Sequence, residues 1–396
     1  MFSISKMAAG VQPSATLAAG AKARQLKTEG KIVYDFSLGE PDFNTPKHIC
    51  DAAYKAMLDG HTHYTAAAGI PELRGAIARW YKRTYGFEFS PEQVIVSNGA
   101  KHSLHNALAA TVGPGDEVII PTPYWVSYSD LVQMTGATYK LVPTTEASGF
   151  KMTAAQLKAA ITPRSKLVML NSPGNPTGSV YSRSELEAIA DVVVETKLGV
   201  ISDEIYEQLV FGNAKATCFA TLRPGLANQV ITISGVSKSY AMTGWRMGWA
   251  IAPMHVTKAM GNVQSQETSN PSSISQYATI AALDGDQACV EVMRKEFEAR
   301  RDLVCGRLNA LPGIRCPIPD GAFYAFFNIE AYFGKTLKSK KITDSTTFCS
   351  AALETVHVNL VQGSAFGAEG YARLSFATSR EQINKGIDKL ADFLQG

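Results

Sequence analysis

Five short apolar runs recur through the first two thirds of this chain, at 93–96, 117–120, 165–170, 199–202 and from 230 onward. Each closes on a turn of glycine or polar residues, and stretches of helical periodicity separate them. Strands that are apolar along their whole length must be covered on both faces, so the pattern predicts a mostly parallel sheet between layers of helices. In such sheets ligands sit beyond the carboxyl ends of the strands. There the sequence puts Gly99, Trp125, Asn175, Asp203, Tyr206 and Lys238. The steps from Asn175 to Asp203 and from Asp203 to Lys238, 28 and 35 residues, are each close to one strand–helix–strand unit, which brings these side chains to one mouth.

Lys238 stands in a small-residue turn after the run 230–234, and Arg246 follows eight residues later, ahead of a second apolar run. A buried amine has its charged form disfavoured, which suits it to attack an aldehyde and form a Schiff base. A nearby arginine can hold a phosphate through a planar, charge-assisted fork.

Past Pro253 the pattern changes. Long helical stretches run from Ser273, with a break near Asp284 and Gly285, to Leu311; short strands are expected at 322–326, 358–361 and 372–376, with a last helix from Arg380 to Leu394. Nearer the start, a helix is expected over 14–27 and a strand over 32–38. These segments predict a smaller α+β domain of 1–47 and 286–396 beside a large domain of 48–285.

Composition excludes several function classes. A formal net charge of +3 over 396 residues, with Lys and Arg scattered, gives no footprint for nucleic acid or an anionic membrane. No apolar run is long enough to span a bilayer. The six cysteines form no CxxC pair, and the His61/His63 and His102/His105 pairs have no further ligands close by, so neither a disulfide framework nor a metal site is expected. The first ten residues lack the pattern of a secretory leader, and reduced thiols in a cytoplasmic protein are the expectation.

Three pieces together resemble one family: Asn171-Ser172-Pro173-Gly174-Asn175-Pro176-Thr177-Gly178, Ser202-Asp203-Glu204-Ile205-Tyr206, and Ser237-Lys238 followed by Met242-Thr243-Gly244-Trp245-Arg246. The chain resembles the fold-type I aminotransferases that use pyridoxal 5′-phosphate, most closely the bacterial aspartate aminotransferase subgroup of class I. That resemblance implies a large α/β domain with a mostly parallel seven-stranded sheet and a smaller α+β domain. It implies Lys238 as the amine that holds the cofactor aldehyde and Asp203 as the carboxylate at the pyridine nitrogen. Tyr206 and Asn175 would bond the ring hydroxyl, Trp125 would stack on the ring, and Gly99, Ala100, Lys101, Ser237 and Arg246 would surround the phosphate. Tyr64 would complete the phosphate cup of the neighbouring subunit, which implies a homodimer.

For the substrate, the resemblance implies Arg373 at the α-carboxylate, helped by Asn175, Trp125 and the backbone of Gly39. Lys101 stands in for the distal-carboxylate arginine of other dicarboxylate-specific relatives. The implied reaction carries the amino group of aspartate or glutamate to a 2-oxo acid through pyridoxamine phosphate. Alternatives are an aromatic or prephenate aminotransferase and a carbon–sulfur β-lyase. Relatives that accept prephenate tend to carry a basic residue where this chain has Gln12. Some relatives carry a phosphate-binding serine where this chain has Gly235, so that contact is expected to be missing or supplied by Ser234.

Overall fold

A computed structural model describes residues 2–395 except Gln12 and Ser14, so the Gln12 position lies outside the described residues. Seven strands form the principal sheet: β1 (Val94–Asn98), β2 (Glu117–Thr122), β3 (Thr138–Pro143), β4 (Ser165–Asn171), β5 (Gly199–Asp203), β6 (Val230–Gly235) and β7 (Met247–Ile251). Their order across the sheet is β1-β7-β6-β5-β4-β2-β3. All neighbours run parallel except β7, which is antiparallel to both β1 and β6.

Alternation along the strands builds a core on each face. Val94, Val96, Val168, Leu170, Val200 and Trp249 join one cluster with Leu73, Ile77 and Trp80 of the helix Pro71–Tyr85. Ile95, Leu167, Met169, Ile201 and Ile231 join the opposite one with Leu104 and Leu108 of the helix Ala100–Thr111. Strand β3 escaped the sequence reading because it is an edge strand: only Val142 in it is buried.

The second part is built on a three-stranded antiparallel sheet of Val361–Gln362, Tyr371–Ser375 and Tyr324–Asn328 in that order. The strand expected over 32–38 shrinks to Tyr34–Asp35, paired in parallel with Val358–Asn359. The strand expected over 358–361 is split: its halves pair with different partners, and buried Leu360 sits at the break. The core here gathers Phe36, Phe297, Phe323, Phe327, Leu374 and Phe393 and extends to Ile205, Tyr206, Leu209 and Phe211, just past the end of β5. The two cores therefore meet at the segment that carries Asp203 and Tyr206. Among the described residues no helix is long and apolar enough to cross a membrane, and no cluster of three or more His, Cys, Asp or Glu could hold a metal ion.

Candidate active site

A cavity of about 370 Å³ opens where the strand ends meet the second part. Of the residues expected there, Gly39, Ala100, Lys101, Trp125, Asn175, Asp203, Tyr206, Ser237, Lys238, Arg246 and Arg373 line it. Tyr64 does not; it is 91% exposed.

Lys238 Nζ donates to the Gly39 carbonyl at 2.5 Å. Burial brings its pKa down to about 8; Glu40 opposes the shift, while Arg246 and Arg373 reinforce it. Asp203, 4% exposed at the end of β5, is pushed up to about 6 by burial against two stabilising donors. These are the Tyr128 hydroxyl at 2.6 Å and the Ile205 N–H at 3.3 Å. Tyr128 also meets Trp125 edge to face, with ring centroids 5.5 Å apart.

The anion corner depends on three glycines in contact. Gly99 has φ 86, and a Cβ on it would fall inside the Arg246 guanidinium. A Cβ on Gly248 would collide with the Ala100 nitrogen, while one on Gly235 would lie 2.7 Å from the Met247 carbonyl and 2.9 Å from the Gly248 Cα. Gly235 and Gly248 are register partners, so the start of the helix Ala100–Thr111 is packed directly onto the β6–β7 hairpin. Gly235 is thus a steric requirement of this hairpin. Ser234 does not replace the missing hydroxyl, because it is fully buried and donates to Glu207 Oε1 at 2.8 Å.

The expectation for Gly99 also needs correction. Its N–H turns back to the Ser97 carbonyl at 2.7 Å, so the N–H groups left free at that turn belong to Ala100 and Lys101. Both residues line the cavity together with Ser237 and with Arg246, whose Nη1 donates to the Thr243 carbonyl at 2.8 Å. Free amides at a helix start beside an arginine suit a phosphate.

Arg373 forms a second anion grip. It is 1% exposed and donates to Asn175 Oδ1 at 2.9 Å and to the Ser37 carbonyl at 2.8 Å. Its guanidinium lies against the rings of Tyr324 and Phe366, at 4.5 and 5.0 Å from their centroids. No carboxylate pairs with it among the described residues, and its Nε has no partner. A buried cation left this way asks for an anionic ligand. Lys101 forms no ion pair among the described residues, although Asp130 acts on it electrostatically, and its Nζ stands 4.9 Å from the centroid of the Trp125 ring.

Three groups escaped the sequence reading. Tyr324, from the second sheet, shares a hydrogen bond of 2.8 Å with the Tyr206 hydroxyl, and its approach leaves no room for a Cβ on Gly39. Tyr128 reaches Asp203 from the short helix Ser127–Met134. Thr16, Leu17, Gly20 and Arg24, from the N-terminal helix Ala15–Thr28, form part of the cavity wall. The Tyr128 contact had a partial signal in its spacing from Trp125; the others depend on how the two parts meet.

The donors fit a pyridoxal phosphate: a deprotonable amine, a buried carboxylate and an aromatic wall lie between one anion corner and another. Comparison with known proteins bears on the same point. The profile of the family "Aminotransferase class I and II" matches residues 31–390. An aspartate/prephenate aminotransferase of Cereibacter sphaeroides is 46% identical over 398 aligned residues, covering 100% of both chains. An aspartate aminotransferase of Geobacillus stearothermophilus is also 46% identical, with 99% of each chain covered. The crystal structure of the aspartate aminotransferase from Rhizobium meliloti superposes with a TM-score of 0.97 at 43% identity, covering 100% of this chain and 99% of that one. With full-length relatives at this identity and the same fold throughout, the chain belongs to the class I and II aminotransferases, enzymes that depend on pyridoxal phosphate.

Proposed function

We propose that this enzyme transfers the amino group of aspartate or glutamate to a 2-oxo acid with pyridoxal phosphate bound in the cavity. The observation that carries the reading is the pair of separate anion grips on one cavity, with Lys238 and Asp203 also on its wall. The names of the relatives support the choice of aspartate.

When bound, the cofactor supplies an aldehyde and a ring able to accept electrons from the substrate Cα. The Ala100 and Lys101 amides, the Ser237 hydroxyl and Arg246 hold its phosphate. Asp203 keeps a proton on the ring nitrogen by remaining ionised, aided by the Tyr128 hydroxyl. Trp125 would stack on the ring, and Tyr206, held by its hydrogen bond to Tyr324, would donate to the ring oxygen. Arg373 and Asn175 fix the substrate α-carboxylate, which aims the Cα–H bond at Lys238. Lys238 Nζ, with its pKa near 8, takes that proton as general base. Lys101 favours a substrate with a distal acid.

The exposure of Tyr64 supports its service in a partner's phosphate cup, hence a homodimer. The two cores support two bodies, 48–285 and 1–47 with 286–396. Six free thiols support a cytoplasmic setting.

The test is a half-reaction screen in which the holoenzyme meets single amino acids and the visible band of the bound cofactor is followed. Aspartate and glutamate should convert the cofactor to its amine form with release of the matching 2-oxo acid. Release of ammonia or a thiol with no conversion would replace this reading with a lyase.

A further inference from the structure

The helix Ala15–Thr28 carries three basic side chains, and two already have acidic partners. Lys22 pairs with Glu354 at 2.7 Å, and Lys27 with Asp35 at 3.8 Å. The third, Arg24, makes no side-chain hydrogen bond or ion pair among the described residues, yet it lines the cavity.

Its setting on the helix explains where it points. Thr16, Gly20 and Arg24 recur every four residues, which puts them on one helix face, and all three lie on the cavity wall. Arg24 Nη1 lies 3.4 Å from the place a Cβ on Gly20 would occupy, so the side chain is folded back along the helix over the glycine. On the same cavity Lys101 likewise forms no ion pair among the described residues, Asp130 acting on it only from a distance. Glu40, the cavity acid other than Asp203, accepts from the Thr243 hydroxyl at 2.8 Å. Two unpaired cations are therefore left over after the phosphate corner and the α-carboxylate grip have taken theirs.

We infer that Arg24 joins Lys101 in binding the distal carboxylate of dicarboxylic amino and 2-oxo acids. This rests on the dicarboxylate reading above and assigns that specificity to a second residue on a different element. Lys101 supplies a point charge beside Trp125, and Arg24 supplies a planar fork from the N-terminal helix. A substrate with a neutral side chain gains nothing from either and leaves both in water.

The experiment compares the wild-type holoenzyme with Arg24→Gln and Arg24→Lys. Specificity constants are measured for aspartate, glutamate and alanine, and dissociation constants for succinate and butanoate by calorimetry. One charge-assisted contact at a partly exposed site predicts that Arg24→Gln lowers the aspartate-to-alanine preference about tenfold. The loss should fall on KM, succinate should weaken by a similar factor relative to butanoate, and Arg24→Lys should restore most of both. Parallel losses for aspartate and alanine, or an unchanged preference, would overturn the inference while the wild type still prefers dicarboxylates. A wild type without that preference would overturn the substrate reading itself and the role of Arg24 with it. Thermal melts of the variants guard against a folding artefact.

Discussion

Replacing Gly235 with alanine adds one methyl group at a point where the backbone leaves no space. The new Cβ would stand 2.7 Å from the Met247 carbonyl and 2.9 Å from the Gly248 Cα, with Ile205 Cδ1 at 3.3 Å. Only the isoleucine can turn aside. Strand β7 is held in register by β1 on one side and β6 on the other, and Gly248 already touches the Ala100 nitrogen. Relief must therefore come from shifting the hairpin into the start of the phosphate helix. Overpacking of this kind costs about 1–3 kcal/mol, and two backbone atoms within 3 Å argue for the upper end, about 3 kcal/mol. Serine would add an unpaired buried hydroxyl, for about 1 kcal/mol more. Urea unfolding of the cofactor-free protein reads the stability, and equilibrium dialysis reads the affinity for pyridoxal phosphate, which should fall at least about tenfold because the Ala100 and Lys101 amides move. An unchanged urea midpoint with equal or tighter cofactor binding in Gly235→Ser would refute the steric argument. In that event Gly235 is merely a vacant phosphate ligand.

Four further outcomes follow from the site. Lys238→Met should stabilise the cofactor-free protein below pH 8 by up to about 3 kcal/mol, the gap closing toward pH 10.5. The folded pKa is depressed, so the wild type gains stability as pH rises between the folded and unfolded values; parallel urea series across pH 7–11 measure it. Tyr128→Phe removes a donor from a buried carboxylate and should cost about 2 kcal/mol at pH 8, where Asp203 is ionised, but much less at pH 5, where it is protonated. Arg373→Gln should weaken every amino acid by on the order of a hundredfold in kcat/KM, whereas Lys101→Ala should penalise aspartate far more than alanine; matching profiles for the two variants would break the division between the grips. Mixing inactive Lys238→Ala protomers with a Tyr64→Ala variant should restore cofactor affinity in half of the hybrid sites, and no recovery on mixing would place Tyr64 outside the partner's cup.

Much of this site was legible because its parts sit at strand ends, where a continuous apolar run and a following glycine or polar turn mark the position. Asp203, Lys238 and Asn175 are of that kind, and the resemblance supplied their roles. The edge strand β3 was not legible, since a strand with one buried residue has no apolar signature. Tyr324 reads locally as one more aromatic in a buried strand; only the packing of the second sheet against Tyr206 and Gly39 makes it part of the site. Arg24 reads as one surface cation among three on its helix, and partner geometry alone separates it from Lys22 and Lys27. The Gly99 amide turns back to the Ser97 carbonyl through the backbone torsions of Asn98, which the sequence does not specify.

The reversed direction of β7 has a consequence for the order in which the site can be completed during folding. Because β6 and β7 form an antiparallel pair, the chain leaves the mouth after Lys238 and is back at it by Arg246, so these two residues are brought together over eight residues of sequence, whereas Gly99 meets Arg246 across 147. The Arg373–Asn175 contact spans 198 residues. Short loops cost less entropy to close, so the β6–β7 side of the phosphate corner can assemble before either the Ala100 helix start or the carboxylate grip joins it. Pulsed hydrogen exchange during refolding should protect the amides of β6 and β7 ahead of those in Tyr371–Ser375. A chain arrested at this stage would hold Lys238 and Arg246 together and still be blind to the amino acid.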